Sequence, residues 1–195
     1  MINNTLSIKV IVGSTREGRF SDKAAAWIAG EIKKQEGLNV EVLDLRDYEM
    51  PFFNEPIPPS MKSEPYKNEA VSRFTAKIKE GDAFVIVTPE YNHGAPGILK
   101  NAIDWVSQEW NKKPVAFVGY GVVGGGRSIE QLRASVIELQ MAPVQNAIYI
   151  NGEQYFPVAF GKGTPEELFT KYEDKAEGMI KQLVWWAKAL KNARG

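Results

Sequence analysis

Five short runs rich in β-branched residues recur along the chain, each separated from the next by a stretch of helical periodicity, and no other feature narrows the fold as far. The runs are LSIKVIV at 6–12, NVEVLDL at 39–45, DAFVIVT at 82–88, PVAFVGY at 114–120 and VQNAIYI at 144–150. Short apolar runs bounded by turn signals read as buried strands. After the first of them, Ser21 is a candidate N-cap for a helix whose apolar positions Ala24, Trp27, Ile28 and Ile32 follow the helical period and which runs out around Gly37. Further helices are predicted over 66–80, from Pro96 to about Ser107 with proline in the first turn, over 128–140, and as one long or broken helix over 165–191. Strands and helices in strict alternation require right-handed crossovers, which lay helices on both faces of a parallel sheet. The expectation is one α/β domain spanning 1–195 with a five-stranded parallel sheet. The irregular piece EMPFFNEPIPPSMKSEP at 49–65 is expected to be an ordered rim loop anchored by Phe52, Phe53, Ile57 and Met61.

Composition then removes whole classes of function. Lys plus Arg and Asp plus Glu both number 24, so no overall charge directs the chain to nucleic acid or to a membrane surface, and any anion site must be local. The absence of cysteine rules out disulfides, thiolate metal ligands and cysteine nucleophiles, and a single histidine rules out a multi-histidine metal site. The apolar run in MINNTLSIKVIV is too short and too alternating for a signal peptide or a membrane span. A cytoplasmic protein with no metal, nucleic-acid or membrane partner is expected.

In an open α/β sheet, ligands bind beyond the carboxyl ends of the strands, which makes three loops the candidates. The first, GSTREGRFS at 13–21, opens a helix. Its small residues let backbone N–H groups turn inward, Ser14, Thr15 and Ser21 bring hydroxyls, Arg16 and Arg19 bring positive charge, and the helix dipole favours an anion. The lysine of a nucleotide P-loop is missing, so a single phosphate monoester fits better; the plainer reading is a turn with solvated arginines. The loop GYGVVGGGRS at 119–128 satisfies GxGxxG through Gly119, Gly121 and Gly124. A dinucleotide fingerprint belongs on the first strand of its unit, with a carboxylate at the end of the following strand, and 144–150 contains none. A flexible glycine turn and close backbone approach to a flat ligand are the other readings.

The remaining loop sets Pro89, Glu90, Tyr91, Asn92, His93 and Gly94 ahead of the Pro96 helix. Backbone donors and acceptors beside one aromatic face suit a flat heterocycle with hydrogen-bonding edges; the alternative is a polar loop tip. A Ser/His/Asp hydrolase is not assembled, because Ser14 lies outside any GxSxG elbow.

In their order and spacing, GSTREGRFS, PEYNHGAPGILKNAIDW and GYGVVGGGRSIEQLR resemble the NADPH-dependent FMN reductase family of flavodoxin-like proteins. The resemblance implies a flavodoxin-like three-layer sandwich with strand order 2-1-3-4-5. It implies a bound FMN whose phosphate meets Ser14, Thr15, Arg16 and Ser21, with Arg19 a further candidate. It also implies a ring lying against Pro89 to Gly94, with Tyr91 and Asn92 shaping its edge and the Gly121–Gly126 loop, Gly124 included, closing the other side. NADPH or NADH would then pass hydride from nicotinamide C4 to flavin N5, and a flavin, quinone, azo compound or metal oxyanion would take two electrons in a ping-pong scheme, with no side chain acting as acid or base. A homodimer or homotetramer is also implied, for which Trp105, Trp110, the 49–65 loop and one of Trp185 and Trp186 are candidate contacts. A flavodoxin-type electron carrier would share the fold and cofactor, and a flavin-free interaction module the fold alone.

Overall fold

A computed structural model describes residues 5–194; the MINN start and Gly195, which the single-domain expectation includes, lie outside the described residues. Strands β1 (Leu6–Val12), β2 (Leu38–Asp44), β3 (Ala83–Pro89), β4 (Pro114–Tyr120) and β5 (Ala142–Ile150) pair in the order β2-β1-β3-β4-β5, parallel throughout. This is the implied order, and its reversal between β1 and β3 opens a crevice at the carboxyl ends of the central strands.

The central strands are apolar on both sides because both faces are covered. One face packs α1 (Ser21–Lys33) and the C-terminal helix α7 (Glu173–Arg194) over Val10, Val85 and Val118. The other packs α2 (Glu69–Glu80), α3 (Gly97–Asp104) and α4 (Gly126–Glu138) over Ile11, Ile86 and Phe117. Each large side chain so buried contributes about 1.5–3 kcal/mol. Among the described residues no helix is long and apolar enough to cross a membrane.

The expected long or broken C-terminal helix is broken, into α6 (Pro165–Thr170) and α7, and one unexpected short helix, α5 (Gly152–Ala159), precedes it. Several expectations are corrected. The N-cap position of α1 is Phe20, not Ser21, and no side chain caps it. In the rim loop, Phe52, Ile57 and Met61 are 82%, 51% and 75% exposed and anchor nothing. Phe53 is the anchor that holds, its ring packed 5.0 Å from Trp105, and backbone bonds do the rest: the Pro51 carbonyl accepts from Asn101 Nδ2 at 2.9 Å and Trp105 Nε1 at 2.8 Å, and Phe53 N–H donates to Asn101 Oδ1 at 2.9 Å. Trp105 and Trp110 are buried within this packing, which removes them as subunit contacts. Trp185 and Trp186 stand at the surface of α7, edge to face, while Leu183 and Ala187 take the inward positions.

Candidate functional site

The three candidate loops meet at the carboxyl end of the sheet. Gly13 brings the first into place: its N–H donates to the Val87 carbonyl at 2.8 Å, and a Cβ there would stand 2.7 Å from that oxygen. Its neighbour Ser14 is buried, and its Oγ lies 2.8 Å from the Tyr91 hydroxyl, which ties the first loop to the second. Thr15 and Arg16 are exposed at the tip, and among the described residues the Arg16 guanidinium makes no ion pair.

Arg19 departs from the expectation of a phosphate contact. Its side chain is buried and turned beneath the loop, where Nε donates to Asp22 Oδ1 at 2.7 Å, one terminal nitrogen meets Asp44 Oδ2 at 2.5 Å, and the other donates to the Ser14 carbonyl. The guanidinium thus braces the loop from below, using the carboxylate at the end of β2. Burial pushes the Asp44 carboxyl upward, but hydrogen bonds from Arg19 and Arg46 outweigh it and hold the group down at about 2. Ser21 also departs from expectation: its hydroxyl is buried 2.6 Å from the Tyr120 hydroxyl at the end of β4. Burial raises the Tyr120 phenol far above its usual range despite that bond, so it stays protonated.

The second loop is a two-residue hairpin. Tyr91 N–H donates to the Gly94 carbonyl and Gly94 N–H to the Tyr91 carbonyl, both at 3.0 Å, and Asn92 and His93 take the left-handed values φ 49° and 67°. A turn of this hand reverses a chain tightly and favours asparagine at its first central position. Asn92 and His93 are exposed, and Tyr91 is partly so; Pro89 is buried as the last residue of β3. Glu90 turns inward, its side chain 6% exposed, and its carboxylate accepts the Arg127 backbone N–H at 3.0 Å and the Arg127 guanidinium at 2.5 Å.

The third loop explains its own glycines. A Cβ on Gly119 would stand 2.7 Å from the Gly124 carbonyl, and one on Gly125, at φ 78°, would stand 2.7 Å from the Tyr120 nitrogen. The chain therefore folds back over the end of β4, a packing demand that needs no ligand and that accounts for the GxGxxG spacing. Gly121 lies against the Cβ of Glu90, so the second and third loops are in contact.

Tyr155 on α5 lies outside the three loops and carries no motif in the sequence. Its ring packs 5.3 Å from Phe20 and 5.4 Å from Tyr120, and burial raises its phenol while the charge of Arg16 opposes the shift. The charge of Arg16 acts on Tyr120 in the same direction. Among the described residues no group of three or more metal-ligating side chains gathers.

The sequence model of NADPH-dependent FMN reductases matches residues 6–155, which contain all three loops. The chain belongs to this family. It is 35% identical over 188 residues to an NAD(P)H-dependent FMN reductase of Schizosaccharomyces pombe, covering 94% of this chain and 92% of the relative. A quinone reductase of Pseudomonas putida is 33% identical over 151 residues, 74% of this chain and 76% of the relative. Among solved structures, the flavoenzyme NAD(P)H:(acceptor) oxidoreductase FerB of Paracoccus denitrificans superimposes with a TM-score of 0.69 at 25% identity, over 92% of this chain and 97% of that one. This FMN reductase family member is accordingly a flavin-dependent oxidoreductase that draws on NAD(P)H.

Proposed function

We propose that the three joined loops hold one FMN and that the protein reduces a small acceptor, a quinone or a free flavin, at the expense of NADPH or NADH in alternating half-reactions. The reading is carried by one observation: Arg16 stands exposed and, among the described residues, without an ion pair, at the tip of a loop that opens onto a helix lacking a side-chain cap. A helix N-terminus with free amides and a nearby cation accepts a phosphate monoester. The donor set suits that group. Ser14 can donate its hydroxyl proton to a phosphate oxygen while accepting from Tyr91, and Arg16 and the Thr15 amide complete the cradle; Ser21 and Arg19 act through Tyr120 and Asp44 as supports. Pro89 to Gly94 and the Gly121–Gly125 turn flank the ring position, where backbone groups orient the heterocycle and limit water.

FMN, when bound, supplies two-electron chemistry at N5. The chain's own contribution is placement, through the backbone and side chains that orient the heterocycle and limit water around it. We further propose a cytoplasmic single-domain protein that works as a homodimer or homotetramer, as the family resemblance implies. The test is anaerobic: the purified protein, loaded with FMN, is mixed with NADPH and the visible absorbance followed, and a quinone or free flavin is then added. Bleaching by NADPH followed by recovery on adding the acceptor is expected. A flavin that stays oxidised with both nicotinamide donors would overturn the proposal.

A further inference from the structure

A side-chain ion pair, Glu90 with Arg127, joins the two walls of the ring position. Glu90, at the end of the β3 wall, is almost fully buried, and it receives both the backbone N–H and the guanidinium of Arg127 in the first turn of α4. A second, weaker tie runs parallel to it, since Gln131 Nε2 donates to the His93 carbonyl at 3.1 Å. Gly121 meets the Glu90 Cβ from the other side. Glu90 itself is fixed by its backbone, whose N–H donates to the Tyr120 carbonyl at 3.0 Å. The carboxylate is therefore a fixed negative charge between the two loops, and the Arg127 side chain, 45% exposed, is the cation set against it.

We infer that Arg127 is a positioning residue that sets how readily the bound flavin is reduced, by cancelling the charge of Glu90 in the cleft. This rests on the FMN reading above. Reduction adds negative charge to the ring, and an uncompensated carboxylate nearby disfavours the reduced form more than the oxidised one. With Arg127 in place the pair is close to neutral toward the ring. The α4 amide that Glu90 accepts is a dipole, which offsets only part of a full charge. Removing the guanidinium therefore changes the field in the cleft while leaving the buried carboxylate where it is.

The experiment measures the affinity of oxidised and reduced FMN for the wild-type protein and for Arg127→Ala, Arg127→Lys and the double variant Glu90→Gln/Arg127→Ala. The ratio of the two affinities gives the flavin's potential on the protein. Arg127→Ala is expected to weaken reduced FMN about tenfold more than oxidised FMN, equivalent to roughly 30 mV for a two-electron couple. Arg127→Lys, which keeps the charge, and the double variant, which removes both charges, are expected to return the ratio to within about twofold of wild type. A merely structural tie would weaken both forms equally and leave the ratio unchanged, and that result would overturn the inference. So would a double variant whose ratio stays as low as that of the single variant. A wild-type protein that takes up no FMN at all would instead overturn the cofactor reading beneath it, together with this inference.

Discussion

Arg16 and Arg19 sit three positions apart in one loop, and the proposed reading gives them opposite duties, so substituting them in turn is the sharpest check on the site. Arg19→Met removes a buried guanidinium from Asp22, Asp44 and the Ser14 carbonyl. Removing one partner of a buried ion pair costs about 3–5 kcal/mol when the other is left alone. Here Arg46 remains, 2.9 Å from Asp44 and 3.3 Å from Asp22, and Asp22 is half exposed, so part of the loss is offset. A cost of about 2–3 kcal/mol is expected for the ligand-free protein, which for a chain of this size lowers Tm by roughly 5–10 °C. Arg16→Ala removes an exposed side chain that makes no ion pair among the described residues. Its ligand-free stability should stay within about 0.5 kcal/mol of wild type.

Flavin affinity should respond in the opposite proportion. A charge-assisted hydrogen bond to phosphate is worth about 1.5–3 kcal/mol, so Arg16→Ala should weaken FMN binding roughly 10- to 100-fold. Arg19→Met also loosens the loop and loses some affinity, which makes ligand-free stability the discriminating quantity. The assay pairs thermal unfolding of flavin-free protein with a fluorescence titration of FMN. If Arg16→Ala lowers the ligand-free Tm as much as Arg19→Met does, or leaves FMN affinity unchanged, the division of labour between the two arginines is refuted.

Three further outcomes follow from the same contacts. Asp44 is held at about 2 against an ordinary 3.8, so its stabilising contribution is complete above about pH 4 and is lost as pH falls toward 2; screened by solvent, this amounts to about 1 kcal/mol, and Asp44→Asn should flatten that part of an acid-denaturation curve. Lys113, buried beneath α2 with its amine donating to the Ile78 and Lys79 carbonyls, is lowered by burial to about 8 from 10.5. The unfolded chain binds the extra proton between those values, so stability should rise from about pH 8 to 10.5, and Lys113→Met should remove the slope in urea titrations across that range. Gly125→Ala forces a Cβ to within 2.7 Å of the Tyr120 nitrogen at φ 78°, and a loss of at least about 2 kcal/mol in thermal unfolding is expected.

The sheet was legible because buried parallel strands are continuous apolar runs, and β1 and β4 begin and end where the sequence places them. β5 starts earlier than its apolar run because Ala142 and Pro143 pair with Pro114 and Val115 ahead of a register shift, which no local pattern announces. α5 was hidden by Gly152 and Pro157, and forms because Asn151 caps it, its side chain accepting from Gln154 N–H at 3.3 Å. At the site, residue type marked the loops but not the partner of each side chain. Arg16 and Arg19 are the same residue in the same loop, and what separates them is Asp44, which arrives from the end of β2 and is a neighbour only after folding. Glu90 and Arg127 illustrate the same limit: 37 positions apart, they meet because β3 and β4 are adjacent in the sheet.

The helix termini show how the chain divides its own stability from its ligand's. α2, α5 and α6 are capped by the side chains of Asn68, Asn151 and Thr164. α1, α3 and α4, the helices that follow β1, β3 and β4, have Phe20, Pro96 and Gly125 at the cap and no side-chain cap bond. A missing cap costs about 1 kcal/mol, so the chain forgoes this stabilisation on the helices that open onto the three loops. For α4, Glu90 supplies an acceptor from a different strand, which turns a local cap into a link across the cleft. For α1 no side chain among the described residues does so, and the proposed reading puts an anionic ligand there. A ligand that fills that end adds stability as RT ln(1 + [L]/Kd). On the proposed reading, the phosphate of FMN is that ligand, and its binding would offset the lack of a side-chain cap on α1.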